Sequence, residues 1–411
     1  MFADAFAWSP TATAATLGFT LAGVCLGTLS GLVPGLHANT MALVLAGVAP
    51  SLPGPPRYVV CAMLAAGVVH TFLDIVPALA LGVPDPAMAV GALPGHRLVI
   101  RGRGHETLRL SALGSGLAVL FAVPLSVPVT RAMVTAYPLI ERYLSVLLLG
   151  TAALLVVTES SRRAAVAGIG CFCAAAALGT VTLDLDPQAP LAAGNILMPL
   201  FTGLFGAPVL VDALGGDGVP EQGDTTLAVT PRETGLVAGV GTLAGAVVGY
   251  VPGVSSAVAA TIALLGVPTR LGGRGFIIAV SGVNTSNTVF ALFALVALGS
   301  PRTGVLVAVD SLDAPVSLGL WLPAVAVAAC VGALLVPVLG DRYLTVVGRL
   351  DYTRLSVATL VGLVGLTALL TGVVGVGVFA VATLLGLVPS RYGARRVHLM
   401  GVLTGPLILG V

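Results

Sequence analysis

The amino-acid sequence predicts an all-α polytopic membrane protein with two inverted structural repeats, about ten to twelve transmembrane helices, and re-entrant or broken helices. Three observations predict this fold. Of the 411 residues, 57% are hydrophobic and only 9% are charged, whereas soluble domains carry about 25% charged residues. Apolar stretches follow one another along almost the whole chain, and a short Pro-Gly motif occurs once in each half.

The apolar stretches are separated by charged breaks, and several are too short to cross a bilayer alone. A spanning helix needs about 20 apolar residues, so the short stretches predict re-entrant or broken helices. The predicted segments are residues 11–30, 36–50, 58–83, 108–128, 143–158, 164–183, 190–213, 234–250, 253–267, 275–299, 303–309, 316–339, 355–372, 373–389 and 396–411. The polar stretch 214–233 is the largest break, and we interpret it as the connection between a first membrane repeat, 1–213, and a second, 234–411.

Two motifs recur in the second half at almost the same spacing as in the first. Residues 31–35 read GLVPG and residues 249–253 read GYVPG, while the ALGVP of residues 80–84 corresponds to the ALGSP of residues 297–301. One single-residue gap reconciles the two spacings. Internal repeats of this kind occur in many transporter folds, so the sequence predicts two related halves.

The position of the arginines indicates how the halves are oriented. Four arginines and one glutamate lie in residues 96–109, after the first ALGVP, whereas one arginine and two aspartates lie in residues 302–313, after the second motif. Because cytoplasmic loops are enriched in Arg and Lys, these equivalent points are expected on opposite sides of the membrane. Arg57 and Arg274 also correspond and argue against inversion, but the balance favours an inverted repeat, with residues 96–109 as a topological anchor.

The Pro-Gly motifs predict breaks within membrane helices. Pro removes a backbone hydrogen bond and Gly permits unusual backbone angles, and the freed polar groups must be satisfied by protein, water, ion or substrate. Paired breaks in the two halves of a transporter indicate its binding site; simple helix kinks are the alternative. The candidate binding residues are Pro34, Gly35, His37, Asn39 and Thr40 at the first break and Pro252, Gly253, Ser255 and Ser256 at the second.

A second group of candidates is His70, Thr71 and Asp74. His70 and Asp74 are the only His, Asp, Glu or Arg residues in 58–84, and their spacing places them on one helix face. An acidic side chain inside a membrane segment is costly, which makes it a functional candidate. Such a pair can relay a proton or neutralise a coupling cation. A satisfied structural pair near the membrane interface is the alternative.

The equivalent place in the second half reads GVNTSNT and is uncharged. Its candidate residues are Asn284, Thr285, Asn287 and Thr288. Their amides and hydroxyls can join helices, hydrogen-bond a carboxylate, or form an oxygen cage for Na⁺ near Asn284, Asn287 and Thr288. Five polar residues in seven exceed what helix packing usually needs, so we favour a binding role.

Several classes of chemistry are excluded. All 19 basic residues are Arg, and without Lys the chain has no complete phosphate-binding P-loop and no Schiff-base chemistry. His105 and Glu106 belong to HETLR, which lacks the second histidine of HExxH, and no GxGD motif is present. The net charge of +2 does not indicate nucleic-acid binding. We therefore expect no enzyme and no cofactor, but a process driven by a gradient of Na⁺ or H⁺.

Three stretches together resemble the large membrane subunit of tripartite tricarboxylate transporters, the TctA-like permeases, and most closely its shorter archaeal-type members. They are the Pro34-Gly35 and Pro252-Gly253 breaks, the segment His70–Gly95 with its GVPDP, and the segment Asn284–Val307. The resemblance implies a multi-pass permease of the cytoplasmic membrane that moves a small organic anion, such as a di- or tricarboxylate, by symport with Na⁺ or H⁺. It also implies an extracytoplasmic binding protein, a small membrane subunit and a possible homodimer as partners.

The sequence departs from the bacterial permeases near position 70. Those proteins carry a stretch rich in Gly and Ser there, whereas this chain has His70, Phe72 and Asp74. The alternative function is a polyprenyl-phosphate translocase, because those proteins also carry duplicated Pro-Gly motifs; a channel is a further alternative. This chain is longer than the polyprenyl-phosphate translocases and carries the NTSNT segment, and both features favour the carboxylate carrier.

Overall fold

The computed structural model describes residues 10–34, 36, 38–82, 92–185, 189, 196–212, 214–215, 219–223 and 226–410. Within these ranges the regular structure is helical, without a strand. The first half contains α1 (Pro10–Leu32), α2 (Ala38–Val48), α3 (Pro56–Leu73), α4 (Ile75–Leu81), α5 (Ala92–Ile100), α6 (Gly104–Arg142), α7 (Leu144–Val157), α8 (Arg162–Thr182), α9 (Leu197–Phe201) and α10 (Ala207–Asp212). A 3₁₀ turn, Ala49–Ser51, follows α2, and a π-helical turn, Thr202–Gly206, joins α9 to α10.

The second half contains α11 (Pro231–Tyr250), α12 (Ser256–Ala263), α13 (Gly272–Leu298), α14 (Gly304–Asp310), α15 (Leu318–Gly348), α16 (Tyr352–Gly386), α17 (Val388–Tyr392) and α18 (Gly401–Leu409). Short 3₁₀ turns lie at Leu264–Gly266, Thr269–Leu271 and Arg396–Met400. Thr230 and Glu233 form a capping box at the start of α11, which satisfies backbone groups that would otherwise lack partners.

Eight helical segments of the described chain are long and apolar enough to cross a membrane. They are Pro10–Leu32, Pro56–Leu81, Gly104–Arg142, Arg162–Thr182, Pro231–Tyr250, Thr269–Leu298, Leu318–Gly348 and Tyr352–Tyr392. Three shorter apolar helices are Leu144–Val157, Leu197–Asp212 and Arg396–Leu409. The prediction of an all-α polytopic membrane protein is confirmed, and the number of crossings depends on how many of the shorter helices also cross.

Most predicted segments coincide with helices, and the boundary predicted between 372 and 373 falls at a backbone break. Gly372 has φ 62° and ψ −164° and interrupts α16, a conformation that a residue with a side chain rarely adopts. One difference concerns residues 96–109, which we interpreted as an anchoring loop. The structure has α5 through Ile100 and begins α6 at Gly104, so only a short turn separates two helices there.

The core is formed by two helical segments, α3 with α4 and α13. In the most apolar part of α3 with α4, 94% of the residues are buried, and in that of α13, 89% are buried. The corresponding fraction in the other six spans is at most 50%. Gly95 lies against both Leu79 and Ile277, whereas Thr71 lies against Asn284 further along α13. The two segments therefore run antiparallel. An inverted repeat requires this arrangement of its central helices, although the inversion of the halves stays a prediction.

Each central helix is held by a stripe of glycines on the first helix of its own half. We call these the glycine stripes: Gly23, Gly27 and Gly31 on α1, and Gly241, Gly245 and Gly249 on α11. A Cβ at Gly27 would lie 2.5 Å from the carbonyl oxygen of Ala66, and a Cβ at Gly241 would lie 2.7 Å from that of Ala279. Only glycine permits this approach, which is the usual way in which membrane helices pack closely.

The stripes also show how the chain reverses. Gly23 faces Ala62 and Gly31 faces Leu73, so α1 runs parallel to α3. Since α3 starts at Pro56 beside the N-terminal part of α1, α2 must lead the chain back from the C-terminal end of α1. The helices α1 and α2 therefore form a helical hairpin. The same argument applies to α11 and α12. We name these the first and second hairpins; Pro34 lies at the tip of the first, and Pro252 and Gly253 lie at the tip of the second.

The long helix of each half, α6 or α15, packs against the central helix of the other half. α6 packs along α13, and α15 packs along α3. The contacts are again close: a Cβ at Gly114 would lie 2.5 Å from the carbonyl oxygen of Ile278, and one at Gly332 would lie 2.9 Å from the Phe72 ring. Each central helix is thus enclosed by a hairpin of its own half and a long helix of the other half.

A buried carboxylate, Glu106, fastens this core to the connection between the halves. It is fully buried and accepts hydrogen bonds from Arg103 Nε at 2.5 Å, from Arg274 Nε at 2.8 Å and from the backbone N–H of Ala228 at 3.0 Å. Nearby, Gln222 accepts from the backbone N–H of Gly104 at 2.6 Å. The connecting segment therefore lies against α6 and α13.

Replacing Glu106 with glutamine is expected to lower the free energy of unfolding by about 3 kcal/mol, because it breaks a buried ion pair. Glu233→Gln is the matched control, since its partner Arg270 is 70% exposed and such a pair contributes about 1 kcal/mol or less. The measurement is the denaturation of both purified variants in detergent. Equal stabilities of the two variants would contradict the role of Glu106 as a fastening group.

The remaining helices form a peripheral bundle of α7–α10 and α16–α18 with its own apolar core. Phe205, Val378 and Val402 are among its buried residues. Gly179 and Gly203 allow α8 and the π-helical turn to approach Val402 and Phe379 closely. The bundle lies beside the second hairpin, because Gly253 at the tip of that hairpin faces Leu148 and Leu407.

Candidate functional site

Polar side chains meet in the middle of the core, where α3, α6 and α13 come together. All of them are at most 6% exposed, so the group is closed off from outside in this conformation. We call it the central polar cluster; its members are Ser30, His70, Asp74, Ser111, Ser115, Ser281, Asn284 and Thr285.

Asp74 lies at the junction between α3 and α4. Pro77 cannot donate a hydrogen bond to the carbonyl group of Leu73, and the α-helical ladder is interrupted at this point. The backbone N–H of Asp74 still donates to the carbonyl oxygen of His70 at 2.9 Å. At this junction the carboxylate of Asp74 and the carbonyl oxygen of Thr71 both face Asn284 of α13.

The main contact across the core joins Asp74 to Asn284. The amide Nδ2 of Asn284 donates to Asp74 Oδ2 at 2.6 Å, and it lies 3.5 Å from the carbonyl oxygen of Thr71. Both side chains are 3% exposed. A buried carboxylate is costly unless it is hydrogen-bonded or paired, and the Asn284 amide supplies part of that stabilisation.

His70 lies one helical turn before Asp74, as the spacing predicted. Its Nδ1 is 3.0 Å from Ser30 Oγ on α1, and Ser30 also donates to the carbonyl oxygen of Gly27 at 3.2 Å. The hydroxyl therefore links the imidazole to the glycine stripe of the first hairpin. This contact connects the hairpin tip to the helix that carries the carboxylate.

A chain of hydroxyl groups continues the cluster between α6 and α13. Thr285 Oγ1 donates to Ser115 Oγ at 2.8 Å, and Ser115 donates to the carbonyl oxygen of Ser281 at 3.3 Å. Ser111 and Ser281 hydroxyls are 2.7 Å apart. Hydroxyl groups both donate and accept, so this chain can adapt to a changed proton or cation at the adjacent carboxylate.

The arrangement provides the chemistry of a cation site. The carboxylate of Asp74, the hydroxyl oxygen of Thr285 and the carbonyl oxygen of Thr71 lie around the Asn284 amide, and hard cations such as Na⁺ prefer oxygen ligands. Protonation of Asp74 would serve equally, since a neutral acid can still hydrogen-bond in the core. The structure therefore brings His70, Thr71, Asp74, Asn284 and Thr285 together, five of the predicted residues.

Asn287 and Thr288 have no described hydrogen bond to the central polar cluster. Asn287 and Thr288 are half-buried, and Asn287 Oδ1 is a buried oxygen without a hydrogen-bond partner among the described residues. The backbone N–H of Asn287 lies close to the glycine stripe of the second hairpin, 3.0 Å from where a Cβ at Gly245 would stand. Their participation in a Na⁺ site remains a prediction.

The residues of the first break are only partly described. Gly35, His37 and the side chain of Thr40 lie outside the described part of the chain, and Pro34 is half-buried at the end of α1. Asn39 Oδ1 accepts a hydrogen bond from the backbone N–H of Val305 at 3.1 Å. This contact caps the start of α14 and joins the first hairpin to the second half.

At the second break, Gly253 lies against Leu148 and Leu407 of the peripheral bundle, and neither Pro252 nor Gly253 has a described hydrogen bond to the central polar cluster. Gly253 has φ +77°, which explains the need for glycine at the tip. Ser255 Oγ accepts from the backbone N–H of Val258 at 3.3 Å and caps α12, and Ser256 is buried. The hydroxyl of Ser255 therefore bonds back to its own chain, as the alternative of a structural kink predicted.

Sequence reasoning did not identify the serines of the cluster. Ser30, Ser111, Ser115 and Ser281 are isolated small polar residues in apolar helices, where a hydroxyl usually bonds back to its own helix. One signal was available, because Ser111 and Ser115 are four residues apart and share a helix face. The long-range pairing with α13 could not be read from that spacing.

Comparison with known proteins identifies the family to which the chain belongs. A family model described as the tripartite tricarboxylate transporter TctA family matches residues 17–401. An uncharacterized protein of Methanocaldococcus jannaschii is 26% identical over 405 residues, which cover 95% of this chain and 98% of that protein. No solved structure matches the chain.

The match spans nearly the whole chain, including both hairpins and both central helices. The family is one of membrane transporters and not of enzymes, and the eight candidate spans agree with a multi-pass protein. The resemblance found in the sequence is thereby confirmed: this chain belongs to the tripartite tricarboxylate transporter TctA family, as a permease component of the membrane.

Proposed function

We propose that this protein is a secondary active carrier that moves a small organic anion, such as a di- or tricarboxylate, together with Na⁺ or H⁺. The observation that carries the proposal is the hydrogen bond between Asp74 and Asn284, at 2.6 Å in the buried core. Ionisable groups inside membrane segments mark ion pathways and proton relays. In this chain the carboxylate also forms a hydrogen bond between the two halves.

The central polar cluster is the site at which the coupling ion acts. With a cation or proton at Asp74 the core is neutral and its two central helices stay joined through Asn284. When the ion leaves, a bare carboxylate remains buried, which is unfavourable. The occupied and empty states thus favour different arrangements of the helices, which is the requirement for an ion gradient to drive alternating access.

The hairpin tips are the places where the organic anion is expected to bind. Unwound backbone and helix N-termini face the substrate in many carriers with broken helices, and α12 begins directly after the second tip. The first tip connects to the cluster through Ser30 and His70. An extracytoplasmic binding protein, a small membrane subunit and a second copy of the chain are the proposed partners.

Uptake into proteoliposomes tests this function. The purified chain is reconstituted, and the uptake of labelled succinate and citrate is followed under an inward Na⁺ gradient, an inward H⁺ gradient, or neither. We expect uptake that saturates and that requires one of the two gradients. Equal uptake with and without both gradients would overturn the proposal and would indicate a channel.

Asn284→Ala is expected to slow gradient-driven uptake by about 10- to 100-fold. The variant leaves a buried carboxylate without a charge-assisted hydrogen bond of about 1.5–3 kcal/mol, and each 1.4 kcal/mol corresponds to a tenfold change. Ser286→Ala is the matched control, because Ser286 is buried on the same helix but donates to the carbonyl oxygen of Gly282 in its own helix at 2.7 Å. Similar uptake by the two variants would remove Asn284 from the site.

A further inference from the structure

A second polar site lies away from the central polar cluster, between the second hairpin and the peripheral bundle. It is a cavity of about 720 Å³. Its walls come from α5, α10, α12, α13 and the segment that follows α17. We call it the arginine cavity, and its charged lining residues are Arg97, Asp212, Arg395 and Arg396.

The lining has an excess of positive charge, with three guanidinium groups and one carboxylate. Arg395 is already engaged, because its Nε donates to Glu159 at 3.0 Å and its Nη2 donates to Thr158 at 2.7 Å. Asp212 accepts from Arg396 at 3.0 Å and from Arg391 at 3.2 Å. The single carboxylate is therefore shared between two arginines, and the lining of the cavity keeps a net positive charge.

Two guanidinium groups of the cavity retain free donors. Arg396 is only 8% exposed, and its buried Nε has no hydrogen-bond partner among the described residues. Arg97 is exposed at the wall formed by α5, and no ion pair of its side chain is found in the described part of the chain. A buried donor without an acceptor is costly, and the pairing with Asp212 leaves part of the hydrogen-bonding capacity of Arg396 unused.

The other lining residues suit a small anion with an apolar body. Leu264, Leu265 and Thr261 belong to the returning arm of the second hairpin, and Phe276 belongs to α13. Arginine binds carboxylates through two parallel N–H donors, so two separate guanidinium groups fit a molecule with at least two carboxylates. The cavity also touches the second hairpin, whose tip is one of the expected anion-binding places, and α13, which carries part of the central polar cluster.

We propose that the arginine cavity binds a di- or tricarboxylate through Arg97 and Arg396, as a second anion site beside the returning arm of the second hairpin. This inference rests on the proposed function for the class of its ligand. The anion would be held between Arg97 on α5 and Arg396 after α17, separate from the ion site at Asp74.

Citrate is the probe for this site. The thermal midpoint of the purified full-length protein is titrated with sodium citrate and with two separate sodium chloride series, one of equal ionic strength and one of equal Na⁺ concentration. A ligand that binds only the folded protein stabilises it by RT ln(1 + [L]/Kd) and so raises the midpoint. For the natural chain we expect a rise with citrate concentration that exceeds the change in both chloride series. Arg97→Gln and Arg396→Gln are each expected to weaken citrate binding by about tenfold or more.

Arg391→Gln is the matched control, since Arg391 also pairs with Asp212 but does not line the cavity. We expect it to bind citrate like the natural chain. The inference is overturned if citrate binds equally well to all three variants, or if Arg391→Gln weakens binding as much as the others, because the effect would then follow net charge alone. Arg97→Gln keeps the test valid if Arg396→Gln fails to fold, because Arg97 is exposed.

Uptake by the same preparations separates this inference from the proposed function. Citrate-dependent stabilisation that is lost in Arg97→Gln supports the cavity even if no carboxylate is transported. Gradient-driven uptake by the natural chain with unchanged citrate binding in both cavity variants would leave the function standing and overturn the cavity.

Discussion

Replacing Asp74 with asparagine is expected to abolish gradient-driven uptake, with a loss of about a hundredfold or more. Asparagine has the same size and can still accept the hydrogen bond that Asn284 donates, so the change removes the charge and little else. An Asp at a membrane helix centre carries a cost of about 2.5–3.5 kcal/mol. If that energy is exchanged with the coupling ion, its removal corresponds to about a hundredfold in ion binding.

The fold of the Asp74→Asn variant is expected to be at least as stable as that of the natural chain, because a buried charge is removed. Two measurements are needed, uptake into proteoliposomes and the thermal midpoint in detergent. Asp341→Asn is the control, since Asp341 is also a carboxylate on a helix but pairs with His105 and Arg109 outside the cluster. We expect it to transport normally.

A different outcome would identify the alternative role of Asp74. A lowered midpoint with normal uptake would show that Asp74 and its neighbours form a structural group. Normal uptake with a normal midpoint would remove Asp74 from the mechanism entirely.

Replacing Gly27 with valine is expected to prevent correct assembly of the core, with a loss of stability of about 3 kcal/mol or more. A Cβ at this position would lie 2.5 Å from the carbonyl oxygen of Ala66 and 2.9 Å from its Cα. Backbone atoms cannot turn away as a side chain can, so α1 and α3 must separate. Overpacking typically costs about 1–3 kcal/mol and sometimes more, and separation of the helices would also disturb Ser30 and His70.

Gly18→Val on the same helix is the matched control. It introduces the same β-branched residue, but nothing lies within 4 Å of its Cβ position. Folded yield and the thermal midpoint are measured for both variants. The glycine stripe would lose its proposed importance if the two variants were equally stable.

The helical segments could be predicted from the sequence because hydrophobicity dictates them directly. The boundary between 372 and 373 is an example, since two apolar stretches meet there at Gly372 and the structure breaks its helix at that residue. The helical residues Ala92–Ile100 were not predicted. Arg97 and the arginines that follow this helix indicated a loop, but charged residues can also stand on a short helix at the end of a membrane segment.

The candidate site could be predicted in part. Asp74 and the NTSNT segment are conspicuous because polar residues are rare in apolar helices, and the structure joins them. The packing of α6 on α13 and of α15 on α3 could not be predicted, because the sequence of one helix does not indicate which other helix its apolar face will contact. For the same reason Ser115, which reaches Thr285 across that interface, was not identified.

The packing of each long helix on the central helix of the other half also constrains how the protein is made. Cys61 on α3 contacts the carbonyl oxygen of Leu320 on α15, a residue that follows it by 259 positions. At roughly 5–20 residues per second, α3 waits roughly 10–50 s during synthesis before its enclosing helix emerges from the ribosome. Until α13 brings Asn284 to Asp74, the polar face of α3 needs temporary cover from the insertion machinery or from water. Biogenesis of this permease therefore passes through a protected intermediate that still lacks α15.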